Sequence, residues 1–261
     1  MARSVENLAE LWESLDVLLS SLDADEWQTV TGCPGWTVQD NVSHLVDYES
    51  RALGNPRPEH APPELSHVKN EMGRANEVGV DFRRGRSAAD GLAEFRQVTA
   101  ERLAQLRALS DADLAIEITT PAGPGTVASM LTLRVMDTWS HEQDIRRAVS
   151  RPGHLEGPAV DEAIGYFCGL LPYVVAKRAA APEGTSAVFR IGDRAPVAVV
   201  VSGGRGRLAD SVPATSTVEL AMPVGTFDAL ICGRSDAPGD HRIDGDTDLG
   251  QRIIRNLGVM P

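Results

Sequence analysis

Four acidic or imidazole side chains fall within the stretch RVMDTWSHEQDIRRAV, Arg134 to Val149: Asp137, His141, Glu142 and Asp144. Asp137 and His141 are four residues apart, so on a helix their heads converge on one point. A carboxylate and an imidazole that converge in this way make two-thirds of a three-ligand metal site. They equally make an ion pair or a hydrogen bond without metal, and the spacing alone leaves both readings open. A third ligand must come from another part of the chain, and His44 in VQDNVSHLVDYE is the candidate. The other histidines are His60, His67, His154 and His241, of which His60 and His154 lie in loops bounded by proline or glycine.

These residues need helices to position them. On a wheel of about 100° per residue, Val127, Leu131, Thr138, Ile145 and Val149 share one direction. His141 lies within about 60° of that direction and Asp137 at its edge, so neither is plainly in solvent and an ionised group there needs a partner. Glu142 pairs with Arg146 on the surface or orients a ligand imidazole from behind; Asp144 has Arg147 or Arg134 as its partner. His44 lies well off the apolar stripe of Val38, Val42, Leu45, Val46 and Leu53, on the side of Asn41 and Tyr48. Periodicity by itself therefore makes it an exposed surface histidine.

The apolar residues from Val5 to Leu22 recur at helical spacing, with Ser4 as a cap. Thr37 and Asp40 have capping-box spacing ahead of the His44 helix. A weaker helix is expected over about residues 65–80, Ser87 opens a clear one, TTPAGPGT is a break, and Thr126 caps the helix of Asp137. These elements predict an antiparallel helix bundle over residues 1–152. A further helix begins near Pro158 and kinks at Pro172. SAVFRIG and APVAVVVSGG then read as a hairpin, STVELAM as a third strand, PVGTFDALICGRS as a short helix, HRIDGD as strand or turn and TDLGQRIIRNL as a closing helix. Residues 153–261 are thus expected to form a small α+β domain.

Composition narrows the function. With a net charge of −12 the chain repels the phosphates that non-specific nucleic-acid binding requires. No apolar run reads as long enough to span a membrane, and the acidic, amphipathic start MARSVENLAELWESLD does not read as a signal peptide. Cys33, Cys168 and Cys232 are odd in number and far apart, as reduced thiols of a cytoplasmic protein would be.

CPGWTVQDNVSHLV followed much later by RVMDTWSHEQDIRRAV resembles the mycothiol-dependent maleylpyruvate isomerase family, within the DinB-like metal-binding bundles. The resemblance spans nearly the whole chain and implies a metal-binding helix bundle followed by a domain similar to sterol carrier proteins. It implies His44, Asp137 and His141 as ligands of a divalent metal, zinc in most members, with Asp where the characterised isomerase has Glu. It also implies mycothiol as co-substrate, acting on a small electrophilic substrate by isomerisation or conjugation. Anionic substrates would need cations nearby: Arg74, Arg83 and Arg84 are placed for that or are ordinary surface charge. Trp36 and Trp139 are expected in the core or a pocket wall, and Cys33 as a small buried residue. Two other functions fit the same residues: a zinc-dependent hydrolase that activates water, and a non-catalytic ligand-binding or regulatory protein. The sequence leaves the oligomeric state open.

Overall fold

The computed structural model describes residues 3–260. The chain forms two compact units, residues 1–163 and 164–261. The division falls inside a helix, eleven residues beyond the expected boundary at 152. The reason is that Glu162 belongs to the first unit: it accepts hydrogen bonds from Ser4, Asn7 and Thr132. Ser4 is therefore committed to Glu162 and lies inside its helix instead of capping it.

The first unit holds α1 (Arg3–Ser20), α2 (Val38–Ala52), α3 (Glu71–Arg83), α4 (Ala88–Arg107), a single turn α5 (Asp111–Leu114) and α6 (Val127–Ala148). Helices α1, α6, α2 and α4 pack in a closed ring, and α3 lies against α2. Their apolar faces supply the core, with Leu8, Leu11, Leu15, Leu45, Phe95, Leu106, Val135 and Ile145 almost wholly buried. The starts of α2 and α6 are fixed by local chemistry. Thr37 and Asp40 form a full capping box, as do Thr126 and Ser129. Ser87 caps α4, and Asn70 caps α3, which begins later than the sequence suggests. At the other end of α3, the Gln39 side chain of α2 donates to the carbonyls of Arg83 and Arg86, both at 3.0 Å, and so satisfies helix-end acceptors. The expected break at TTPAGPGT is a hairpin of β1 (Glu117–Thr120) and β2 (Gly123–Thr126), which leads directly into α6.

Helix α7 (Pro158–Tyr173) contains Pro172 and passes into a wider turn over Val174–Arg178. Together they make 21 residues that are long and apolar enough to cross a membrane by length and composition, contrary to the expectation from sequence. Half of the most apolar window is buried inside the protein, including Val160, Phe167, Leu171 and Val175, as in a core helix.

In the second unit β3 (Ser186–Ile191), β4 (Val197–Ser202), β5 (Arg205–Leu208), β6 (Val218–Met222) and β7 (Arg242–Gly245) form one sheet in the order β5-β4-β3-β6-β7. The β3–β4 hairpin has Ser186 opposite Val200; β3 and β6 are parallel, and the other pairings are antiparallel. Helices α8 (Val224–Ile231) and α9 (Thr247–Arg255) complete the unit, with α9 against β6 and β7.

Candidate metal centre

Helices α2 and α6 bring together the three residues named from the sequence. Donor atoms of His44, Asp137 and His141 lie within 4.8 Å of one another. His44 Nε2 stands 3.3 Å from Asp137 Oδ2, and His141 Nε2 stands 3.6 Å from Asp137 Oδ1. Metal bonds of about 2.0–2.1 Å at tetrahedral angles put ligand atoms roughly 3.3 Å apart, so this spacing suits a divalent ion. His44 is buried, not exposed as the wheel suggests. The inward side of α2 is polar: Gln39, Asp40, Asn41, Ser43, Asp47 and Glu49 are buried with it.

The tautomer of His141 follows from its neighbour. Asn41 donates through Nδ2 to the Thr37 carbonyl at 2.8 Å and to Thr31 Oγ1 at 3.1 Å. Its Oδ1 is thus an acceptor, and it faces His141 Nδ1 at 2.7 Å. A proton on Nδ1 leaves the Nε2 lone pair directed toward Asp137. A lone pair facing a carboxylate oxygen needs a cation or a proton between them, and a divalent ion is one group that meets this need. Asp144, fully buried, approaches the same Nδ1 at 3.3 Å and is held by Arg147 at 2.6 Å. Carboxylate and amide partners behind a ligand histidine orient the ring.

Burial holds the His44 imidazole below its ordinary pKa, although Asp137 pulls the other way. Burial also opposes ionisation of Asp137, but Arg134 and the two imidazoles outweigh it and hold the carboxyl well below the usual range. The Asp137 side chain is 28% exposed, against 8% for each histidine, so the cluster opens on the Asp137 side. Trp36 packs against both imidazoles, with ring centroids 5.2 Å from His44 and 5.6 Å from His141. Its Nε1 donates to buried Glu77 at 2.7 Å, which also binds His67 and Arg84.

The arginines are arranged differently from the expectation. Arg74 is exposed and pairs with Glu71. Arg83 is buried, with Asp47, Glu94 and the Gly79 carbonyl as acceptors for its three nitrogens. Arg84 pairs with Asp40, Glu77 and Asp81. None of the three has a hydrogen bond or ion pair to His44, Asp137 or His141. The guanidinium groups of Arg83 and Arg84 tie the end of α3 to α2 and α4 instead, and that of Arg74 stays on α3. Arg134 is the arginine at the centre: its Nη1 donates to Asp137 Oδ2 at 2.5 Å, and it pairs with Glu49, not with Asp144. Its position one turn before Asp137 was the signal available in the sequence. Glu142 does pair with Arg146, but as a fully buried group that also accepts from Ser14 and faces His154. A second set, Cys33, His141 and Asp144, also has donor atoms within 4.8 Å. There His141 offers the nitrogen already bound by Asn41, so the first set has the available lone pairs. Cys33 sits in a small apolar cluster with Trp36 and Val80.

The profile of the mycothiol maleylpyruvate isomerase N-terminal domain matches residues 8–146. The chain belongs to this family. The matched span contains all three candidate ligands. Two uncharacterized proteins from strains of Mycobacterium tuberculosis are each 29% identical over 139 residues, covering 52% of this chain and 52% of theirs. The chain thus spans about half the length of those relatives. The crystal structure of the mycothiol-dependent maleylpyruvate isomerase superposes with a TM-score of 0.58 at 16% identity, covering 90% of each chain. A histidine-to-alanine mutant of the isomerase gives 0.51 at 14% identity, over 89% of this chain and 88% of that one. At such identities the likeness is one of fold: a helical unit followed by an α+β unit.

Proposed function

We propose that this protein is a metal-dependent enzyme that uses a low-molecular-weight thiol, mycothiol, to isomerise or conjugate a small electrophilic substrate. The observation that carries the reading is the convergence of His44, Asp137 and His141, with both imidazole Nε2 atoms toward one carboxylate. Family membership and the fold shared with the isomerase support the thiol as co-substrate. Three protein ligands leave further positions free, as in catalytic and not structural zinc sites. A divalent ion, zinc in this proposal, lowers the pKa of a thiol and makes a thiolate available at neutral pH.

The chain's own residues do the rest. Burial lowers the His44 pKa and so favours the neutral imidazole, the form that can ligate a metal. Asn41 fixes the proton of His141 on Nδ1. Trp36 covers the imidazoles and keeps water from them. The open side at Asp137 admits thiol and substrate. The thiolate adds to the double bond of the electrophile, whose electron pair moves onto the conjugated acceptor. Rotation about the new single bond and expulsion of the thiolate gives an isomer; protonation of the adduct gives a conjugate. The cytoplasm is the compartment that fits, because Cys33, Cys168 and Cys232 are buried and not joined in disulfides.

The test is elemental analysis of protein purified without chelator, followed by cobalt substitution and titration with mycothiol. About one divalent ion per chain and a new sulfur-to-cobalt charge-transfer band are expected, both absent in His44→Ala. Thiol-independent hydrolysis that needs the same three residues would replace this reading with a zinc hydrolase. A folded protein that takes up no zinc, nickel or cobalt but retains an apolar ligand would make it a binding protein.

A further inference from the structure

Asp137 has a short arm and the most open side chain of the three candidate ligands, so something must hold it. Arg134 lies one turn earlier on α6 and grips Oδ2 at 2.5 Å, leaving Oδ1 toward His141. The guanidinium is itself clamped from α2. Its Nε donates to Glu49 Oε1 at 2.8 Å, and its central carbon lies 3.7 Å from the centroid of the Tyr48 ring. Glu49 is buried and is braced on its other oxygen by Arg102 from α4 at 3.1 Å. Tyr48 and Glu49 follow His44 by about one turn of the same helix. The guanidinium therefore connects the α6 carboxylate to the helix that carries the α2 imidazole. The price of this arrangement is Nη2, which is buried without a hydrogen-bond partner. A buried N–H without an acceptor is destabilising, so the site keeps Arg134 against a local free-energy penalty.

We propose that Arg134 is a positioning residue of the metal centre: by bridging Asp137 to Glu49 and Tyr48, it sets the carboxylate at the distance from His44 and His141 that a divalent ion requires. The inference rests on the metal reading above. It explains how an aspartate, one methylene shorter than glutamate, serves as the acidic ligand: the guanidinium fixes in place what a longer arm would otherwise reach. The role differs in sign from that of a mere counter-charge. A cation beside the site repels a metal dication, so removing a counter-charge tightens metal binding. Removing a positioning group weakens it, by about 10–100-fold for groups that orient metal ligands.

The experiment measures cobalt and zinc dissociation constants by chelator competition, with the cobalt visible spectrum, for the full chain and for Arg134→Met and Arg134→Lys. Lysine keeps the charge but not the planar fork. Arg134→Met is expected to weaken binding about 10–100-fold and to alter the cobalt bands, and Arg134→Lys to recover only part of the affinity. A folded Arg134→Met protein that binds metal as tightly as the parent, or more tightly, overturns the proposal. If Arg134→Met does not fold, Arg134→Lys decides: parental affinity and spectrum there overturn it. A parent protein that binds neither cobalt nor zinc refutes the metal reading, and this proposal with it, before any variant is compared.

Discussion

Replacing Gly79 by alanine should destabilise the protein, although Gly79 is in the interior of a helix where alanine is ordinarily better. In an unconstrained helix the change is favourable by about 1 kcal/mol. On α3, however, a Cβ at position 79 would lie 2.1 Å from Asp47 Cγ and 2.2 Å from Oδ1. Asp47 has little freedom to move aside. It is buried, and it holds Arg83 at 3.2 Å and Arg51 at 2.8 Å. Overpacking of this kind costs about 1–3 kcal/mol. Displacing Asp47 also leaves Arg83 short of a partner, and breaking a buried pair costs about 3–5 kcal/mol when the remaining charge is uncompensated. Glu94 still binds Arg83, so only part of that second figure applies. With the helix preference subtracted, a net loss of about 2–3 kcal/mol is expected, from these same ranges. For a chain of this size that corresponds to a melting point lower by about 4–12 °C. Urea and thermal unfolding measure it directly. Gly73→Ala is the control, because a Cβ there meets nothing closer than Val68 at 3.5 Å. Equal or higher stability in Gly79→Ala than in Gly73→Ala would refute the argument and mean that α3 and α2 are less tightly apposed than described.

Asn41→Ala should leave the His141 ring free to rotate or change tautomer, and metal affinity should fall about 10–100-fold by chelator competition; an unchanged dissociation constant would assign the orienting role to Asp144 alone. His154 has its pKa raised above the ordinary value, first by its hydrogen bond to Glu142 and further by Glu10. Its stabilising contribution is therefore complete below about pH 6.5 and is lost as pH rises through the folded-state pKa. His154→Asn, which tolerates the positive φ of 54° at this position, should show a smaller drop in urea stability between pH 6 and pH 9 than the parent; parallel pH profiles would count against it. Burial pushes the Cys168 thiol up to about 11, so it should resist alkylation in the native protein at pH 8 and react after unfolding; rapid native labelling, located by peptide mapping, would contradict this.

What was legible in the sequence was local or apolar. Thr37, Ser87 and Thr126 act within one turn of their own helices, so the starts of α2, α4 and α6 could be read from short spacing. The β-branched runs of β3 and β4 were equally plain. His44 was hidden for a physical reason: its neighbours Asn41, Asp47 and Glu49 are polar yet buried, because Arg83, Arg102, Arg134 and His141 meet them from other helices. A hydropathy wheel assigns such a face to solvent, and only the family resemblance brought His44 inward. Arg83 looked available for a substrate because its partners Asp47 and Glu94 are 36 and 11 residues distant. The hairpin β1–β2 was read as a break since Pro124 and three nearby glycine or alanine residues carry no strand pattern. The short strand β5, largely exposed and with two arginines in four residues, has no apolar alternation to reveal it.

Trp36 gives the centre an optical reporter of its own. An indole with its N–H pinned to Glu77 has its ring centroid 5.2 Å and 5.6 Å from those of the two imidazoles that would ligate an ion. Its emission should therefore respond to occupancy: quenched by paramagnetic cobalt or copper, and altered only slightly by closed-shell zinc. Substituting the other tryptophans, Trp12, Trp27 and Trp139, by phenylalanine would isolate that signal. Loading, exchange and thiol access could then be followed in real time by fluorescence, without a label and without knowing the substrate.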